Sequence, residues 1–108
     1  MEKVLYLDDN QSEILAFKIL ELKENKYFRD SFADEFMKLY SEHLARSVTA
    51  NETLQKLFPN NFKIKISANK LSYLMRLTET DIFDPNVINS HIEYKEKLGE
   101  KLETARKK

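Results

Sequence analysis

Two histidines, His43 and His91, are the side chains best suited to metal ligation or proton transfer. They lie far apart in sequence, and neither has a carboxylate or second histidine at the usual ligand spacing. A histidine beside an apolar helical stripe reads as packed or half-exposed, so no metal is expected. Acid pairs occur at Asp8-Asp9 and Asp34-Glu35. Adjacent residues on a helix point in different directions, so neither pair makes a matched acid and base. The first reads as capping at a helix start, the second as favourable charge in a first turn. Serine, histidine and acid residues are present, but no nucleophile elbow holds them. With no cysteine in the chain, thiolate metal sites, cysteine nucleophiles and disulfides are excluded. Gly99 is the single glycine, and phosphate-cradling loops need several. A non-enzymatic protein without catalytic residues or cofactor is expected.

The basic residues form a more coherent group. The 18 Lys and Arg balance the 18 Asp and Glu, but the charge is segregated. Residues 1–35 hold nine acids and five bases, whereas residues 59–76 hold Lys63, Lys65, Lys70 and Arg76 with no acid. Phosphate contacts need such cations, and a segregated charge suits a single functional face.

The elements that would position these groups follow from periodicity and capping. Residues 3–7 form a short apolar run, a strand or an ordered arm. A first helix is expected over Ser12 to Lys23, with Ile14, Leu15, Ile19 and Leu22 on one face. Phe17 and Leu20 widen that face, which predicts burial on more than one side. Ser31 and Asp34 form the S-x-x-D of a capping box, opening a second helix with Phe32, Phe36, Leu39, Tyr40 and His43 or Leu44 on one stripe. That stripe is expected to centre the core. A short third helix is expected from Thr49-Ala50-Asn51-Glu52, with Leu54, Leu57 and Phe58 inward and Pro59 ending it. Residues 62–66 alternate apolar and basic, which argues for an extended segment able to pair with residues 3–7. Ser67 caps a fourth helix, with Ile66 and Leu71 at hydrophobic-staple positions and Leu71, Leu74, Met75 and Leu77 inward. Asp84-Pro85 starts a long fifth helix over 85–106, whose apolar positions are Ile88, Ile92, Leu98, Leu102 and Ala105, with Lys95 interrupting them. The expected fold is a mostly α bundle of four to five helices with at most a short strand pair, one domain over 1–108.

Two resemblances attach to these residues. Lys3 to Asn10 resembles the first strand and acidic pair of a response-regulator receiver, but His43 to Asn51 holds no acid to accept phosphate and the βα alternation is missing. Val48-Thr49-Ala50-Asn51-Glu52, Leu54, Ile66-Ser67, Leu71, Leu74 and Leu77 resemble a helix-turn-helix or winged-helix module of phage and plasmid replication proteins. That resemblance implies a helix lying in the major groove. Its DNA-binding residues would be Lys63, Lys65, Asn69, Lys70, Ser72, Tyr73 and Arg76, with Asn69 and Lys70 reading base edges and the other cations holding phosphates. The connection over 59–66 is longer than the tight motif's, and residues 78–86 are acidic.

The long terminal helix offers a different surface. Ile88, Ile92, Leu98 and Leu102 form a dimer or partner interface on this reading. Two functions therefore stand side by side: a DNA-binding or replication-associated accessory protein, and a helical adaptor, inhibitor or immunity-type module acting on a protein. The expected partners are double-stranded DNA, a protein, or a second copy. No run approaches the ~20 apolar residues of a membrane span, so a cytoplasmic protein is expected.

Overall fold

The computed structural model describes residues 3–49 and 63–106. Among these the element order is β1 (Val4–Leu7), α1 (Asp9–Asn25), α2 (Ser31–Thr49), β2 (Ile64–Ser67), α3 (Ala68–Thr78) and α4 (Pro85–Arg106). The fold is mostly α with one short strand pair. The short third helix expected from Thr49 lies, over 50–58, outside the described residues; its expected cap, Thr49, is instead the last residue of α2.

Each helix start has a chemical cause. Asp8 and Gln11 form a reciprocal capping box at α1: the Asp8 carboxylate accepts from the Gln11 N–H (2.8 Å), and the Gln11 side chain accepts from the Asp8 N–H (3.1 Å). α1 therefore begins three residues before the expected Ser12. At α2 the cap is Asp30, one residue ahead of the expected Ser31; its carboxylate accepts from the N–H groups of Phe32 (2.9 Å) and Ala33 (3.1 Å). Ser67 caps α3 by accepting from the Lys70 N–H (3.2 Å), and Asp84 caps α4 through the Asn86 N–H (2.9 Å). α3 ends on Glu79, whose φ of 53° is left-handed. Glycine usually takes that position, and a side chain there costs about 1 kcal/mol.

The two short apolar runs pair with each other. β1 and β2 are antiparallel, with Val4 opposite Ser67, Leu5 opposite Ile66, Tyr6 opposite Lys65 and Leu7 opposite Ile64. Period two puts Leu7, Ile64 and Ile66 into the core and leaves Tyr6 and Lys65 outside. Behind the ribbon, Leu15, Ala16, Ile19, Phe36, Leu71, Leu74 and Ile82 are essentially inaccessible. Ile82 enters the core from a loop, where no periodicity announces it.

Two expectations about packing are met in part. α1 is covered on more than one side, by α2, α3 and α4, but Phe17 and Leu20 remain 45% and 43% exposed. The α2 stripe centres on Phe36, with Leu39 and Tyr40 partly buried and His43, not Leu44, buried at its far end; Phe32 stays 38% exposed although Tyr73 and Lys70 lie against it.

α4 is the longest element, about 33 Å at helical rise. Its first two turns pack on the body through Val87 and Ile88. From Glu93 to Ala105 every residue is exposed. The radius of gyration, 15.5 Å, exceeds the ~13 Å of a compact chain this long, as a protruding helix requires. Gly99 sits in this outer half, and a Cβ built there meets nothing within 4 Å. Gly99→Ala is therefore expected to stabilise the helix by about 0.5–1 kcal/mol, read as increased helicity by circular dichroism.

Candidate functional site

Of the residues expected to contact DNA, Lys63, Lys65, Asn69, Ser72 and Arg76 are exposed along β2 and the outer face of α3. Lys70 and Tyr73 have other engagements. The Lys70 ammonium bonds both carboxylate oxygens of Glu35 on α2 (2.8 and 2.9 Å) and lies 5.6 Å from the Phe32 ring centroid. The Tyr73 hydroxyl donates to Asp30, the α2 cap, and its ring meets Phe32 edge-on at 5.2 Å. These two residues fasten α3 to the first turns of α2. The Tyr73 hydroxyl holds the Asp30 carboxyl below its ordinary 3.8; burial opposes this, and the Ala33 and Phe32 N–H groups add to it. The same bond, with burial and the Asp30 charge behind it, raises the Tyr73 phenol above 10.0. A groove of about 220 Å³ opens beside this contact, lined by Val4, Phe36, Leu39 and Ile66 and rimmed by Lys65 and Lys70.

A second polar cluster lies at the start of α1. Asp9 and Glu13 are one turn apart and project toward different helices. Asp9 pairs with His43 Nε2 of α2 at 2.7 Å. Glu13 pairs with His91 Nε2 at 2.8 Å and with Lys95 at 3.0 Å, both on α4. Lys95 also donates to the Asn10 side chain (3.2 Å). Its interruption of the α4 stripe is thus a polar tie to α1. Nearby, burial raises the Tyr40 phenol, and the Glu13 and Asp9 charges raise it further. Both histidine side chains are about 8% exposed, as packed histidines should be. Among the described residues no group of three or more His, Asp or Glu side chains is arranged to hold a metal ion. The cluster's evident work is to join three helices. Glu13→Ala would leave His91 buried without its carboxylate and is expected to cost about 1–3 kcal/mol. Urea denaturation measures the loss, with faster amide exchange over residues 87–95.

The interface expected on α4 divides in two. Ile88 and Ile92 are half-buried on the body's side, whereas Leu98 and Leu102 are 45% and 57% exposed. Tyr94, 56% exposed, belongs with them and was not expected. It lies one turn before Leu98, a spacing that marks it as part of the same stripe. The pairings of Asp9 and Glu13 had no such signal, since their partners lie 34 and 78 residues away.

No helix among the described residues is long and apolar enough to cross a membrane. Compared with protein-family models, curated proteins and solved structures, the chain matches none.

Proposed function

We propose that this chain is a non-enzymatic, protein-binding helical module that docks through the outer half of α4. The observation that carries the reading is the exposure of Tyr94, Leu98 and Leu102 together on one face of a protruding helix. Scattered exposed apolar residues are ordinary, but a contiguous stripe rimmed by charge is the pattern of an interaction surface. Photo-crosslinking in cells tests it. A photoreactive amino acid in place of Leu102 should capture a protein, and one in place of Glu100 should not. Capture from neither position, or equally from both, would overturn the reading.

A second reading, contact with DNA in the manner of a phage or plasmid accessory protein, draws support from the exposure of Lys63, Lys65, Asn69, Ser72 and Arg76. The cations would displace counterions and Asn69 would read adenine. Lys70 and Tyr73 would have to give up their bonds to Glu35 and Asp30 of α2 to join that contact. Fluorescence anisotropy with duplex DNA at two salt concentrations should show binding that weakens steeply with salt and is lost in Lys65→Glu/Arg76→Glu. Unchanged affinity in the double variant would sink it.

A further inference from the structure

We infer that the outer half of α4 pairs, antiparallel, with the same segment of a second copy of this chain. The inference rests on the protein-binding reading above and names the partner.

The geometry begins with the direction of α4. Its bonds His91 to Glu13 and Lys95 to Asn10, and the ring contact of His91 with Phe17, show that α4 runs antiparallel to α1. Continuing the same offset sets position 98 beside position 7, before α1 starts at Asp9. Residues 96–106 therefore extend about 16 Å past the end of the helix they pack on. The face does not change there. Val87 and His91, which meet the body, share a helical face with Leu98, Leu102 and Ala105. A helix laid on that stripe would continue the line of α1.

Two observations select a second copy as that helix, and a third calls for a partner of some kind. The first is length. With Leu98 facing Leu102 of the second copy, position 94 falls beside position 106, so each overhang fills the other and stops where the other body begins. The second is charge. Residues 93–106 carry four acids and four bases, so two copies meet without net repulsion. The antiparallel direction also brings Lys101, late in α4, toward Asp8 and Asp9 of the second copy. Both aspartates are exposed, and the Asp9 side chain is 72% accessible. A parallel pair would set basic end against basic end. The third is the weakness of the segment alone. A free stretch this short is marginal in water. Gly99 and the like-charged spacings Glu96–Glu100 and Lys97–Lys101 weaken it further. A contact between two segments this short should fall below the ~1,200 Å² of a standard stable interface, so the pair should exchange rapidly.

The test uses the full chain, which has no cysteine of its own. Sedimentation should show mass rising from one chain toward two with concentration, and Leu98→Glu/Leu102→Glu should remain a monomer. Both positions are exposed, so the circular dichroism of the body serves as a folding control. Leu98→Cys mixed with Leu102→Cys should form a disulfide-linked dimer that neither variant forms alone. Cross-linking within each variant alone would overturn the antiparallel arrangement. A monomer at every concentration, with no cross-link, would overturn the second copy as partner. In that event, capture of a different protein from position 102 would leave the protein-binding reading standing, and capture of none would remove it too.

Discussion

Phe36→Ala is expected to remove about 3–5 kcal/mol of stability. Phe36 is 1% exposed and belongs to the core cluster with Leu15, Ile19, Leu71 and Leu74. Truncation loses the transfer energy of the ring and leaves a cavity that the surrounding helices can close only in part. Single domains hold about 5–15 kcal/mol in all, so this one change would consume a large share. Urea denaturation should show a much lower midpoint with little change in slope. Phe32→Ala, at the exposed end of the same stripe, provides the contrast. It removes an edge contact with Tyr73 and should cost clearly less. Equal losses at the two positions would contradict the packing of α2.

Asp30→Ala should cost about 1–2 kcal/mol from the lost helix cap alone. It also removes the acceptor for the Tyr73 hydroxyl, so α2 loses its cap and its fastening to α3 together. The Asp30 carboxyl lies below its ordinary value in the folded chain, chiefly through that hydroxyl. A lowered carboxylate stabilises the fold above the unfolded value of 3.8, and the contribution disappears as pH falls through the folded value. The raised Tyr73 phenol works in the opposite sense. Its contribution is complete below 10.0 and is lost as pH rises through the folded value. The wild-type chain should therefore lose stability at both extremes relative to Asp30→Ala. Denaturation midpoints of the two proteins across pH measure this, and a constant difference down to strong acid would contradict the coupling.

The sequence announces the elements far better than it announces their contacts. Asp84-Pro85 and the Ile88–Ala105 spacing delimit α4 as observed, because caps and periodicity are local. Ser67 marks the start of α3 for the same reason. Asp30 is missed as a cap because Ser31 offers the same chemistry one residue later, and only the backbone decides between them. The basic segment is legible as charge, but Glu35 and Asp30, which engage Lys70 and Tyr73, come from α2 and belong to a different stretch of the chain. Leu98 and Leu102 are readable as apolar helical positions. That Ile88 and Ile92 meet the body while Leu98 and Leu102 lie beyond its end depends on where α1 begins, which the α4 sequence does not contain.

The β1–β2 ribbon has a consequence for the order of events in folding. Leu7 and Ile64 are directly opposite each other, so the ribbon closes a loop of more than fifty residues. Bringing such ends together costs roughly 3–4 kcal/mol of chain entropy beyond a constant. Four-residue strands offer little to offset that cost until something shortens the distance. α1 and α2 lie inside the loop and pack on each other through near neighbours in sequence, so their docking draws the ends together first. The ribbon is therefore expected to zip onto a helical nucleus. Side chains on it should govern how fast the native protein opens more than how fast it forms.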